Sequence, residues 1–230
     1  AMTEALTVTV SAPVGEEICK FLAVLSLRGM IDSSRRGLQV GFTVGLGFAM
    51  LENLQYVLLS LVAEPTTAAF SYGFTSVIRG IGSIPGHAVW TGLSGYALGC
   101  VQAKHAHHVE KATSSSATWG LFNAQTGQAF ATATSAWVVQ RDAWTRRVAS
   151  SFGPAPPRVL LPALLVGIAG HALWNGSTVV LDAWLVDASA VTQFIAFVGW
   201  ILFLVALVLQ AGRRLFAAAL MDAQTSGGTF

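Results

Sequence analysis

The apolar residues of this 230-residue chain come in long blocks rather than at regular spacing through a polar background. Five blocks reach about the twenty residues that a helix needs to cross roughly 30 Å of hydrocarbon. They run approximately over 6–27, 38–61, 81–101, 159–181 and 190–209. The last is the clearest, with only apolar residues and glycine from Phe194 to Leu209, and the third is the most broken, by Pro85 and five glycines. The first has no basic leader and carries Glu16, Glu17 and Lys20 at its middle, so it does not read as a cleaved signal peptide. The pattern predicts an all-α fold, a polytopic transmembrane helix bundle with about five spans, forming a single membrane domain over 1–230. Because Ala1 precedes Met2 and the first span opens within a few residues of the start, the expectation is either further spans upstream or end residues foreign to the native chain.

One sizeable polar stretch, 102–157, separates the third and fourth blocks. It opens with Lys104, His105, His107, His108, Glu110 and Lys111, passes Ser114, Ser115 and Ser116, and ends in a Gly153-Pro154 break and a Pro156-Pro157 pair. Trp137, Trp144, Val148 and Phe152 line one side of a helix candidate whose flanks carry Arg141 and Arg147, a pattern suited to the membrane surface. A solvated histidine-rich loop accounts for the three histidines, and they receive no catalytic role.

Composition sharpens this reading. Only 10% of the residues are charged, against about 25% in ordinary soluble domains, while 53% are hydrophobic, so a soluble globular enzyme is excluded. The net charge of +2, with no basic stripe interleaved with aromatics, gives no nucleic-acid partner. Cys19 and Cys100 both sit inside apolar blocks, where no disulfide framework is indicated. Charge position matters more than total. Arg28, Arg35 and Arg36, then Lys104, Lys111, Arg141, Arg146, Arg147 and Arg158, then Arg213 and Arg214, make eleven of the 13 basic residues, all in odd-numbered loops or the tail. Basic residues stay on the cytoplasmic side, which puts those loops and the tail inside and the start of the chain outside.

Ionisable groups at membrane depth are costly and mark function. Here they are Glu16, Glu17 and Lys20 in the first span, Glu52 with Asn53 in the second, His87 in the third and His171 with Asn175 in the fourth. Glu16 and Lys20, four apart, share a helix face, whereas Glu17 lies about 100° round and points elsewhere. Thr91 follows His87, and Asn175 follows His171, by the same interval of four. The segments His87-Ala88-Val89-Trp90-Thr91-Gly92 and His171-Ala172-Leu173-Trp174-Asn175-Gly176 echo each other. Two imidazoles and a carboxylate from three helices make a three-ligand zinc set with a fourth position open. A further glutamate nearby, such as Glu16 or Glu17, can take a proton from water in that position. Glu16 is preferred because it shares a face with Lys20; Lys20 orients or balances the pair, and Asn53, Thr91 and Asn175 support the donors. Gly41 and Gly45, and Gly95 and Gly99, are small-xxx-small pairs that bring helices close. At 1.5 Å per residue, Glu16, Glu52, His87 and His171 lie roughly 15, 14, 9 and 15 Å from the outer ends of their spans, a common level.

At these residues the sequence resembles the PrsW-type intramembrane metalloproteases, relatives of the CAAX prenyl endopeptidases and of the scaffold subunit of gamma-secretase. Glu16-Glu17-Ile18-Cys19-Lys20 matches EExxK, and Phe48 through Glu52 matches FxxxE and continues as Asn53. The histidine motifs at His87 and at His171 with Asn175 follow in order. The resemblance implies peptide-bond hydrolysis in or at the edge of a bacterial cell membrane, with a first-motif glutamate, Glu16 or Glu17, as base and Glu52, His87 and His171 of the later motifs holding a divalent metal, zinc by its ligand types. It further implies a single-pass membrane protein substrate, such as an anti-sigma factor, embedded in the same lipid bilayer and cut by site-one proteolysis, and the depth count with the charge topology puts the cut near the extracytoplasmic side. The chain departs from the family in having fewer spans and a longer third loop. A non-catalytic membrane scaffold and a proton-coupled transporter are the competing functions; the complete EExxK pattern speaks against the first, and the lack of two similar halves beyond the six-residue echo against the second.

Overall fold

The computed structural model describes residues 2–62, 68–113, 144–145, 147–148 and 153–225, and within them it contains helices and no strand. Helix α1 (Met2–Leu6) passes through a π-helical segment, Thr7–Ser11, into α2 (Ala12–Ser26). A short 3₁₀ turn leads to α3 (Ser34–Val62). Helix α4 (Ala68–Ile78) passes through a second π-helical segment, Arg79–Ser83, into α5 (Ile84–Thr113). Helices α6 (Leu160–Trp184) and α7 (Ala190–Thr225) complete the fold. Serines start two of the helices. Ser33 Oγ accepts the Arg36 backbone N–H at 3.3 Å ahead of α3, and Ser189 Oγ accepts that of Thr192 at 3.2 Å ahead of α7.

Three stretches, Ser34–Ser60, Leu160–Trp184 and Ala190–Asp222, are long and apolar enough to cross a membrane. The first and third spans expected from the sequence lie in the α1–α2 and α4–α5 rods, whose apolarity is lowered by Glu16, Glu17, Lys20, Arg79 and His87. Helix α5 runs past the expected end at Val101 to Thr113 and takes in the stretch with His105, His107 and His108, whose side chains lie outside the described residues. Trp137 and Phe152 of the expected surface helix also lie outside them.

The solvent ordering is that of a membrane protein turned toward lipid. Leu51 and Trp184 are 73% and 82% exposed, while Glu17, Lys20, His87 and His171 are buried to within 2%. The hub is α5, in which every residue from Gly86 to Cys100 is buried. This explains why the third block is the most broken of the five: its face meets protein on all sides, and glycine, serine and threonine let neighbours approach.

The most extensive contact among the described elements is between antiparallel α3 and α5. Gly37, Gly41 and Gly45 of α3 face Gly99, Gly95, Gly92 and Ala88 of α5, so the two glycine pairs noted in the sequence pack on each other. A Cβ on Gly41 would stand 2.5 Å from the Thr91 carbonyl oxygen, and one on Gly45 would overlap the His87 carbonyl. Backbone contact therefore continues right up to His87.

Polar links at one end fix the register. Tyr96 Oη donates to Asp222 Oδ2 at 2.9 Å, Arg158 pairs with the same carboxylate, and Arg214 Nε donates to the Pro154 carbonyl at 2.9 Å. Gly99 packs on the Ser33–Ser34 turn. The first connection, the 153–158 stretch and the end of α7 thus share one end of the bundle, as five alternating spans require. Cys19 is exposed and Cys100 buried, and both are free thiols.

The glycine contacts generate a paired prediction. Gly45→Ala should destabilise the protein by about 1–3 kcal/mol through overpacking and should weaken divalent-metal binding, because the displaced backbone is that of His87. Gly47→Ala, on the same helix with nothing within 4 Å of the added methyl, should be neutral or stabilise by up to about 1 kcal/mol. Thermal melting of both variants in detergent checks this, and equal melting points would rule out the close-packing account.

Candidate metal centre

Four helices deliver the polar cluster. Helix α2 brings Glu16, Glu17 and Lys20, α3 brings Glu52 and Asn53, α5 brings His87 and Thr91, and α6 brings His171. At its centre is the Lys20 ammonium, 3.3 Å from Glu16 Oε2, 2.9 Å from Glu17 Oε1 and 2.6 Å from His87 Nδ1. Phe48 lies under it, with Nζ 4.0 Å from the ring centroid. Glu17 does not point elsewhere, as its angle on the helix had suggested. Residues three and four apart are both neighbours on a helix, so one flexible lysine reaches both glutamates.

The hydrogen-bond chemistry sets the two imidazoles in opposite tautomers. An ammonium only donates, so His87 Nδ1 accepts and its proton is on Nε2, 2.9 Å from Glu52 Oε2. His171 Nδ1 lies 3.1 Å from Glu17 Oε1, and a carboxylate only accepts, so here Nδ1 carries the proton and Nε2 faces Glu16 Oε2 at 3.8 Å. Each ring therefore has one nitrogen held by a carboxylate and a lone pair on the other. The rings meet edge to face with centroids 4.7 Å apart, and the Trp90 indole stacks on His171 at 5.3 Å and 11°. Gly170 makes room for that indole, since a Cβ there would overlap its ring nitrogen, and Gly167 packs on the Trp90 backbone, where a Cβ would come within 3.3 Å of the carbonyl oxygen.

Among the described residues, Glu16, His87 and His171 bring one donor atom each within 4.8 Å of one another. The sequence had put Glu52 where the geometry has Glu16. Glu52 is engaged instead by a residue that the sequence analysis gave no role, Arg79, whose guanidinium lies 2.7 Å from Glu52 Oε2 on the Nε2 side of His87. Arg79 Nε also donates to Asn53 Oδ1 at 2.7 Å. Arg79 sits eight residues before His87, about two turns of helix away, and its long side chain spans the remaining offset to reach Glu52. Thr91 Oγ1 donates to Glu17 Oε2 at 3.4 Å. Asn175 turns away from the imidazoles, and its Nδ2 donates to the Val8 carbonyl at 3.3 Å, within the first π-helical segment. Such segments shift the backbone hydrogen-bond pattern and gather at functional sites.

The donor set fits a divalent ion. Two imidazoles and a carboxylate are the ligand types zinc takes, and two of the three donors, Glu16 Oε2 and His87 Nδ1, already meet a cation, the Lys20 ammonium.

Buried ion pairs lose most when one partner is removed. Lys20→Met leaves Glu16 and Glu17 uncompensated, with the lysine and Glu17 side chains 1% exposed, and should cost about 3–5 kcal/mol. Arg158→Met removes a cation that is 57% exposed and should cost under about 1 kcal/mol. Melting temperatures of the two variants in one detergent test the ordering; a reversed order would show that Lys20 is not the charge that holds the helices.

The PrsW family intramembrane metalloprotease model matches residues 1–140. This segment holds Glu16, Glu17, Lys20, Glu52, Asn53, His87 and Thr91, and the tertiary structure adds His171 from beyond it. No curated protein and no solved structure matches the chain. With more than half of its length matched, the chain belongs to the PrsW family of intramembrane metalloproteases.

Proposed function

We propose that the chain cuts a single-pass, membrane-anchored protein, with Glu16, His87 and His171 holding a zinc ion and Glu17 taking the proton of the attacking water. The observation that carries the reading is the convergence of those three donors to within 4.8 Å, with Glu17 beside them. The ion supplies Lewis acidity toward the scissile carbonyl and the water. Glu17 is suited to be the base because its Oε1 is fixed by Lys20 and His171, while Oε2 meets the Thr91 hydroxyl at 3.4 Å and keeps room to accept a proton. Lys20 holds both glutamates near the ring nitrogens, and the half-buried Glu16, with 23% of its side chain exposed, is the side of the cluster that water reaches. By the basic-residue count the start of the chain and the Leu185–Ser189 turn face outward, so the cut falls toward the extracytoplasmic end of a substrate's span. An anti-sigma factor in a bacterial membrane is the substrate that the family resemblance favours.

The roles separate by measurement. Purified full-length protein should bind one divalent ion, and the His87→Ala, His171→Ala double variant none. Glu16→Gln should lose metal affinity, whereas Glu17→Gln should retain metal and lose about 10²–10⁴ in turnover. Full cleavage by chelated, metal-free protein would refute the metal assignment, and full activity of Glu17→Gln would refute the base. For orientation, with both native cysteines replaced by alanine, a cysteine at Asp187 should react with an impermeant reagent from outside and one at Ala155 from inside; the opposite result would reverse the proposed side of cleavage.

A further inference from the structure

Arg79 occupies an unusual position for a basic residue in this chain. It lies in the π-helical segment that joins α4 to α5, with its side chain only 18% exposed. Its planar fork is used on two sides: one terminal nitrogen lies 2.7 Å from Glu52 Oε2 and 3.4 Å from Ser83 Oγ, and Nε is 2.7 Å from Asn53 Oδ1. The face of the guanidinium stacks on Tyr56, with the central carbon 3.8 Å from the ring centroid. The Glu52 oxygen it holds is the one 2.9 Å from His87 Nε2.

We infer that Arg79 is a positioning residue for the metal centre, acting through Glu52 at Nε2 to hold the orientation of the His87 imidazole, whose Nδ1 meets the Lys20 ammonium beside Glu16. The inference rests on the reading of His87 as a metal donor. A carboxylate that faces the outer nitrogen of a histidine ligand fixes both its tautomer and its ring orientation. At membrane depth that carboxylate needs its own counter-charge, and here the same guanidinium supplies the charge and the aim. Lysine would keep the charge but lose the fork, because a point ammonium cannot hold Glu52 and Asn53 in the planar geometry that the guanidinium provides.

The experiment uses Arg79→Lys, Glu52→Gln and the double variant of the full chain in detergent, with ¹⁵N-labelled histidine. In chelator-treated wild-type protein, His87 should show the Nε2-protonated tautomer, held by Glu52 at Nε2 as well as by Lys20 at Nδ1, and Arg79→Lys should shift the equilibrium measurably toward the other form. Divalent-metal affinity, measured by competition with a chromophoric chelator, should fall about 10–100-fold in Arg79→Lys, and the double variant should be no weaker than Glu52→Gln alone. A purely structural role would lower the melting temperature while leaving the tautomer and the affinity below melting unchanged, and that outcome overturns the inference. So does a loss in the double variant equal to the two single losses combined. If wild-type protein binds no divalent ion, the metal reading fails, and the tautomer comparison in metal-free protein still decides whether Arg79 acts on His87.

Discussion

The Lys20 ammonium is the contact on which the rest of the bundle depends. A cation at membrane depth needs acceptors around it, since an unpaired charge in hydrocarbon costs several kcal/mol or more. Here it finds them in Glu16, Glu17 and His87, with Phe48 beneath. Those acceptors come from two helices, and their remaining partners, His171, Glu52 and Thr91, join a third and a fourth. Pulling any one helix away would leave a charge or an imidazole without its partner, so the polar groups act together as a single unit of packing.

The apolar surfaces could not impose that arrangement. Lipid is as apolar as the helix faces, so association in a membrane relies on close packing and polar links. The α3–α5 seam supplies the first through the glycines from Gly37 to Gly45 against those from Gly92 to Gly99. The second comes in two knots along α5. One is the metal centre around His87, and the other joins Tyr96, Asp222 and Arg158 nearer the far end. With α5 pinned at two levels, His87 is held in register against α2, α3 and α6, as a site with sub-ångström demands requires.

Much of this was legible in the sequence. Block length gave the spans and the all-helical class. The scarcity of ionisable residues inside those blocks picked out Glu16, Glu17, Lys20, Glu52, His87 and His171, because burial in hydrocarbon leaves few reasons for such residues to be there. A common depth along alternating helices indicated one shared site, and the distances bear this out. The apolar echo after each histidine was also informative, although its two tryptophans diverge: Trp90 stacks on His171, whereas Trp174 packs against Gly82.

What the sequence determined by itself was the inventory of polar groups within the apolar blocks, because it follows from hydropathy, which is local. Rotation and partnership were decided only by tertiary structure. That Glu16 rather than Glu52 joins the two imidazoles, that Glu17 turns to His171, that Asn175 goes to the Val8 backbone, and that Arg79 belongs to the centre at all depend on helix rotations of a fraction of a turn and on contacts between residues as far as 154 and 167 positions apart. A helical period specifies which residues share a face; only the packed bundle specifies what that face meets.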